Sequence, residues 1–230
     1  MYMTKQGNLL TMVYSLFSLL IVLVQWWRDV IRESTFQGKH SFKTQKGLYL
    51  GFLMFIASEV MFFFSFFFAF FFSALNPDIS LGLIWPPIGV EPMSYLGVPL
   101  LNTIILLSSG VSVTWAHHSL LDGVKNQTFN GLLATVICGM VFMYFQILEY
   151  FECSFTIADS VFGSIFFSAT GFHGLHVTIG VLFLLIAMIR TKKLHLTPNH
   201  HIGFEVSAWY WHFVDVVWLF LFVSIYWWGS

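Results

Sequence analysis

The chain has 230 residues, of which 57% are hydrophobic and only 9% charged, and its mean hydropathy is +0.79. A water-soluble domain carries roughly a quarter charged residues, so this composition excludes one and indicates a membrane protein. The ten Lys and Arg nearly cancel the eleven Asp and Glu, which leaves neither a basic surface for nucleic acid nor a solvating acidic tail.

Six apolar runs are long enough to cross a bilayer as helices. A hydrocarbon core about 30 Å thick needs roughly 20 helical residues, and the runs are continuous rather than alternating, which favours helices over barrel strands. In chain order they cover residues 9–27, 47–73, 98–119, 128–150, 160–190 and 203–228. The predicted fold class is all-α: a polytopic membrane helix bundle with six transmembrane helices, forming one transmembrane domain over residues 1–230.

The charges between the runs predict the orientation of these helices. Nine of the ten Lys and Arg fall in the first, third and fifth loops. The second and fourth loops have no Lys or Arg, and the acids in them or at their edges are Asp78, Glu91, Glu149, Glu152 and Asp159. The positive-inside rule then places the basic loops on the side of synthesis and both termini on the opposite side. An interfacial belt is predicted from the tryptophans near the helix ends, which are Trp26, Trp27, Trp85, Trp209, Trp211, Trp227 and Trp228.

The N-terminus and the cysteines indicate where the protein is made and inserted. The first residues lack the basic region and cleavage site of a secretory signal, and no transit peptide precedes the first run, so the simplest interpretation is insertion where the protein is made. The 28 Phe residues fit an AT-rich organellar genome. Cys138 and Cys153 have no metal-ligand spacing, and we do not expect a disulfide between them.

Glu59 is the candidate buried carboxylate. It lies about a dozen residues into the second run and therefore near mid-membrane, where we expect it to be protonated, hydrogen-bonded or paired with a cation. The plain alternative is a neutral acid that bridges helices, with Ser58 or Ser65 nearby. A proton-coupled transporter is a further alternative, but it predicts broken helices, and the second and sixth runs have no Gly or Pro break at that depth.

Histidines inside the predicted helices form a second candidate group. His173 and His176 lie three residues apart among three glycines, a small-residue face that predicts close helix packing with imidazoles bonding across it. Haem ligation needs one His on each of two facing helices at matching depth. A dihaem membrane cytochrome that uses His173 or His176 with His212 is therefore the rival function.

Polar residues at the helix ends suggest a lipid site. The first basic loop holds Arg32, Glu33 and His40, and the fifth holds Lys192, Lys193, His195, His200 and His201. Such groups at headgroup depth bind anionic lipid through charge-assisted hydrogen bonds to phosphate. Ordinary solvated, positive-inside loops would look similar, so both interpretations stay open.

Seven segments resemble signatures of the cytochrome c oxidase subunit III family, and they occur in the family's order. They are WWRDVIREST over 26–35, SEVMFF over 58–63, WPP over 85–87, PLLNT over 99–103, TWAHHS over 114–119, ATGFHGLH over 169–176 and WYWHFVDVVW over 209–218. Any one of them is weak, but seven in register are highly specific. No nucleotide-binding glycine loop or catalytic triad competes with this resemblance.

The resemblance implies a non-redox core subunit of the proton-pumping cytochrome c oxidase of the respiratory chain, in the mitochondrial inner membrane. In that family subunit III has no catalytic residue, haem, copper or other metal of its own; the redox centres belong to partner subunits, and cytochrome c is the substrate of the complex. Its implied role is to stabilise the catalytic subunit I, its main contact beside subunit II and accessory subunits. It also holds structural phospholipids and supports proton uptake during oxygen reduction.

Site residues follow from the matched motifs. Glu59 matches the family's buried, carbodiimide-reactive carboxylate. The positions near the family's lipid cleft, which we expect to bind phospholipid, are Arg32, Glu33, His40, His176 and Arg190.

Two departures from the family qualify this assignment. The family is typically a seven-helix protein whose first two helices form a smaller bundle, whereas this chain begins close to the second. We therefore expect the usual first helix to be lacking, with 9–27 as a remnant of the smaller bundle beside a five-helix bundle over 47–228. Either that bundle is thinner or a separate chain supplies the partner helix. The second departure is Phe68, where the family commonly has Trp, and the missing indole N–H weakens the lipid assignment.

Overall fold

Helices dominate the computed structural model, which describes residues 9–79 and 82–229. They are α1 Leu9–Thr35, α2 Phe42–Leu75, α3 Val98–Leu121, α4 Lys125–Glu152, α5 Val161–Lys192 and α6 Ile202–Leu221, which continues as a π-helical segment, Phe222–Trp228. Six helices are long and apolar enough to cross a membrane, and these described ranges contain no strand. The all-α fold class with six transmembrane helices is confirmed.

Several helices extend past the predicted apolar runs. α1 continues to Thr35 with Arg32 in its last turn, where a cation complements the negative end of the helix dipole. α4 continues to Glu152, so Glu149 lies within the helix, as the apolar run over 128–150 predicts, although the charge pattern counts it with the fourth loop. The physical reason is that backbone hydrogen bonds between residues four apart do not need apolar side chains, so a helix continues beyond the hydrocarbon.

The chain divides into two compact units, residues 1–50 and 51–230. The described part of the first unit contains α1, the loop after it and the first turns of α2, and α1 itself has no buried residue. The second unit contains the rest of α2 and α3 to α6. The single domain over 1–230, with a smaller bundle and a five-helix bundle inside it, stays a prediction.

The core of the second unit is formed by α3, α4, α5 and α6, with α6 also packed against α3. Trp211 lies at its centre, fully buried, and its Nε1 donates a hydrogen bond to Ser109 Oγ at 2.9 Å. The indole fits because glycines face it: a Cβ on Gly139 or Gly180 would lie only 2.7 or 2.9 Å from ring carbons. Trp211 is therefore a core residue, and its predicted place in the interfacial belt is wrong.

The second-unit part of α2 contacts the core through aromatic side chains. Phe63 and Phe70 are buried, and the ring of Phe63 lies 6.2 Å from that of Phe213 on α6. Phe67 makes a similar contact with Phe220 at 6.1 Å. Large rings rather than glycines thus mediate the packing of α2, and Glu59 lies about one turn before Phe63 on the same helix.

Candidate functional site

Glu59 of α2 and His176 of α5 form a hydrogen-bonded pair. The distance from Glu59 Oε2 to His176 Nε2 is 2.7 Å. At 1.5 Å per residue, Glu59 lies about 25 Å from either end of α2, and His176 lies about 23 Å from either end of α5. Both groups therefore lie at mid-membrane depth, where the sequence predicts the buried carboxylate.

The second ring nitrogen of His176 fixes how the pair holds protons. Nδ1 lies 2.6 Å from the carbonyl oxygen of Phe172, and because a carbonyl only accepts, Nδ1 is the protonated donor. One further proton then lies between Nε2 and the carboxyl group of Glu59. Whichever of the two holds it, the pair is neutral as a whole, as a carboxylic acid beside a neutral ring or as a carboxylate beside an imidazolium.

Aromatic rings surround the pair without closing it off. The ring of Phe63 lies edge-on to His176 at 5.0 Å, and those of Phe62 and Tyr210 stack at 6.2 and 6.3 Å. The side chains of Glu59 and His176 remain 21% and 9% exposed. Both side chains therefore reach the surface of this chain at a depth where aromatic rings surround them.

The serines near Glu59 have other partners. Ser58 Oγ donates to the backbone oxygen of Phe55, and Ser65 Oγ donates to that of Phe62, both at 2.6 Å. Glu59 therefore does bridge two helices, but through His176 rather than through these hydroxyls. α2 is also continuous through Glu59, which does not favour the transporter alternative.

His173 makes the contact across helices that the small-residue face predicts. It is 1% exposed, and its Nε2 lies 3.1 Å from the backbone oxygen of Val214 on α6. That prediction is confirmed. Because His176 uses both ring nitrogens and His173 uses Nε2 within the protein, while His212 lies exposed on α6, these contacts favour helix packing over haem ligation.

Comparisons with known proteins decide the family. The family model described as cytochrome c oxidase subunit III matches residues 1–230. The chain belongs to the cytochrome c oxidase subunit III family. It is 60% identical over 215 residues to cytochrome c oxidase subunit 3 of Gallus gallus, which covers 94% of this chain and 82% of that protein.

Two further subunit III relatives agree with this assignment. The protein from Pelomedusa subrufa is 57% identical over 215 residues, again covering 94% of this chain and 82% of the relative. The protein from Latimeria chalumnae is 55% identical over 224 residues, covering 97% of this chain and 86% of the relative. With six membrane-crossing helices in its described part, this subunit III chain is a multi-pass membrane protein.

The residues predicted to bind lipid in this subunit III chain are divided between the two units. Arg32 and Glu33, near the end of α1, line a polar pocket in the first unit together with Asp29, Gln37 and Lys39. His40 of the same unit is half-buried, and its backbone oxygen accepts a hydrogen bond from Gln45 Nε2 at 3.0 Å. Arg32 and Glu33 thus share one pocket, while a single site for all five residues stays a prediction.

His176 and Arg190 lie in the second unit on one helix but at different depths. Their fourteen-residue separation corresponds to about 21 Å along α5. The guanidinium of Arg190 packs against the backbone of Gly203. Partial burial, followed by the nearby cations of Arg190 and Lys193, lowers the pKa of His195. His176 and Arg190 are therefore too far apart along α5 to contact the same phosphate group.

A second buried acid, Glu149, escaped the sequence analysis. It is fully buried, and its Oε1 accepts a hydrogen bond from the hydroxyl of Tyr226 at 2.7 Å. Tyr226 lies in the π-helical segment, whose wider turn shifts the register of its side chains. The available signal was the position of Glu149 inside an aromatic stretch, which a solvated loop acid does not share.

The two cysteines and the possible metal ligands are the remaining candidate groups. In the part of the chain that the structure describes, no three His, Cys, Asp or Glu are grouped so as to bind a metal ion. Cys138 and Cys153 are free thiols, and Cys153 Sγ lies 3.5 Å from the sulfur of Met93. Burial raises the pKa of Cys153, so this thiol is held in its unreactive form.

Proposed function

We propose that this chain is a non-redox core subunit of the proton-pumping cytochrome c oxidase in the mitochondrial inner membrane, encoded by the organelle. It stabilises subunit I, holds structural phospholipids and supports proton uptake during oxygen reduction. Haem and copper belong to the partner subunits. The Glu59–His176 pair is the observation that carries the proton role, because it places one exchangeable proton at mid-membrane on a partly open surface.

The assembly role is tested by purification. A tag on this chain, used in mild detergent, should recover a complex with subunit I and subunit II that shows the Soret absorption of haem. Removal of the partners in harsher detergent should remove the Soret band from the tagged chain. A band that stays with the isolated chain would instead favour the dihaem cytochrome.

The lipid role rests on cations at two places. Arg32 lines a polar pocket, and Arg190 is half-buried near Lys193 at the end of α5. Arginine binds phosphate with paired, charge-assisted hydrogen bonds, so each place suits a phospholipid headgroup. At Arg190 the acyl chains would extend along α5 toward His176.

The test neutralises both arginines in the assembled oxidase. The double variant Arg32→Gln with Arg190→Gln should lose tightly bound phospholipid, measured by mass spectrometry of lipid extracted from the purified complex. Lys125→Gln removes an exposed cation at the start of α4 and is the matched control. Full retention of lipid in the double variant would contradict the assignment.

The proton role is tested at Glu59. Glu59→Gln keeps a hydrogen-bonding side chain of the same size but removes the exchangeable carboxyl proton. We expect the oxidase in vesicles to lose activity or pumping earlier during continuous turnover, with haem content unchanged. Glu152→Gln makes the same chemical change at the exposed end of α4 and should behave as the unmodified chain. Equal behaviour of both variants would contradict the role.

A further inference from the structure

Four buried polar side chains of the core have hydrogen-bonding atoms without a partner in the part of the chain that the structure describes. They are Asn102 of α3, Gln146 and Glu149 of α4, and His173 of α5, and none is more than 2% exposed. The atoms concerned are both amide atoms of Asn102 and Gln146, Oε2 of Glu149 and Nδ1 of His173. Buried polar atoms in proteins nearly always have a partner, because an unpaired one loses its hydrogen bonds to water without replacement.

Asn102 and Gln146 lie at the same level of two neighbouring helices. α3 and α4 are antiparallel and packed together, and the hydroxyls of Ser112 and Thr135 lie 2.7 Å apart across them. Ten residues back along α3 is Asn102, and ten residues forward along α4 is the position directly before Gln146. Because both helices rise 1.5 Å per residue, the two residues lie within about 2 Å of the same height.

The ring of Trp218 on α6 connects the surroundings of Glu149 with those of His173. It lies 5.7 Å from the ring of Tyr226, whose hydroxyl binds Glu149, and 5.2 Å from the ring of His173. Gln146 precedes Glu149 by three residues on the same face of α4 and lies within interaction range of both Glu149 and Tyr226. The unpartnered atoms therefore belong to one polar region inside the four-helix core.

These atoms include both donors and acceptors. The Nε2 of His173 faces the backbone oxygen of Val214, so Nε2 carries the proton and Nδ1 can only accept. The amide groups of Asn102 and Gln146 each offer an NH₂ donor and a carbonyl acceptor. A ligand that satisfies this mixture must be able to donate and to accept at one place.

The four helices of the core place no Lys or Arg near this region. α3 and α6 contain none, and in α4 Lys125 lies about 36 Å along the axis from Glu149. In α5 the first cation, Arg190, lies about 25 Å along the axis from His173. A small neutral molecule with two hydrogens to donate and two lone pairs to accept meets the requirement, and water is such a molecule.

We propose that this region is an internal water site, in which ordered water molecules bridge Asn102 and Gln146 to Nδ1 of His173 and Oε2 of Glu149. A buried water typically makes about three hydrogen bonds, so about two molecules are enough for the open atoms. The bridges join α3, α4 and α5, and the bond from Tyr226 to Glu149 adds the end of α6. The site lies inside this chain, so the inference goes beyond the proposed function and does not depend on it.

A density map of the purified oxidase, at a resolution that shows ordered water, tests the site directly. We expect at least one peak at about 2.7–3.2 Å from polar atoms of two or more of the four side chains. The hydroxyls of Ser112 and Thr135, which bond directly, are the internal control and should have no water between them. A region without such a peak, or direct bonds from Gln146 to Asn102 and Glu149 in place of water, would overturn the proposal.

Substitution tests what the water contributes to the core. Asn102→Leu keeps a side chain of similar size but removes both amide atoms, so the peak beside this position should disappear. The midpoint of thermal unfolding of the complex should fall by about 2–4 °C, the shift expected for roughly one hydrogen bond. Asn126→Leu, at an exposed position at the start of α4, is the matched control and should change neither the peaks nor the midpoint.

A second variant tests whether the two amides share the same water. Gln146→Leu removes the other end of the bridge, so the double variant with Asn102→Leu should lose little more stability than either single variant. Shifts in midpoint that add in full, or a single variant that keeps the peak, would contradict the proposal. If a variant does not assemble, the map of the unmodified complex decides.

Discussion

Two carboxyl groups of this subunit bridge helices at the same distance but in different surroundings. Glu59 meets His176 at 2.7 Å across α2 and α5, near mid-membrane, and both side chains keep some exposure. Glu149 meets Tyr226 at 2.7 Å across α4 and the π-helical end of α6, and both are buried. The bond length is therefore not what distinguishes them.

The difference lies in the partner and in access. A tyrosine hydroxyl gives up its proton only at high pH, so the Glu149 contact is a fixed hydrogen bond that fastens two helices. An imidazole and a carboxyl group can pass one proton between them while the pair stays neutral. The comparison predicts a structural role for the first pair and agrees with the proton role proposed for the second.

The largest expected effect is a loss of stability at the core, where α4, α5 and α6 pack together. Both pairs depend on this packing because their residues lie on these helices. Gly180→Ala puts a methyl group 2.9 Å from the indole of Trp211, so the ring must shift. We expect a loss of about 1–3 kcal/mol in stability, as for other overpacked cores, measured by thermal unfolding of the purified complex. Gly51→Ala, where nothing lies within 4 Å, is the control and should be tolerated.

A comparable effect is expected at the structural pair. Tyr226→Phe leaves the buried carboxyl group of Glu149 without this donor and should destabilise the subunit by about 1–3 kcal/mol. Tyr144→Phe removes a hydroxyl from a side chain that is 60% exposed and should have little effect. Pumping by the surviving Tyr226→Phe complex should be normal. A pumping defect at full stability would break the distinction between the two pairs.

The smallest expected effect concerns His195 beside Arg190. Its lowered pKa means that the ring is neutral at pH 7 and takes up a proton only below its ordinary value of about 6.5. His195→Gln should therefore leave lipid retention at pH 7 unchanged. The unmodified chain, but not this variant, should bind lipid more tightly as the pH falls through the lowered pKa of His195. Extracted lipid measured across this pH range checks both statements, and a large loss at pH 7 would contradict them.

The sequence allows the helices to be predicted because each apolar run exceeds the thickness of the hydrocarbon. Their ends differ from the predicted ones because polar residues such as Arg32 and Glu152 continue a helix without being apolar. Glu59 and His176 were each identified, but not as partners, since two residues 117 positions apart leave no local pattern. Trp211 was misassigned because the residues that make room for its indole are also distant in the sequence: they are glycines of two other helices.

The most direct test of the Glu59–His176 unit is a double-mutant cycle on proton uptake. Glu59→Gln, His176→Asn and the combined variant are compared in the purified oxidase by the number of turnovers before activity is lost. If the two side chains share one proton, either substitution abolishes the same function, so the double variant should match the single variants. Losses that multiply in the double variant would mean that the two residues act independently, and would contradict the account.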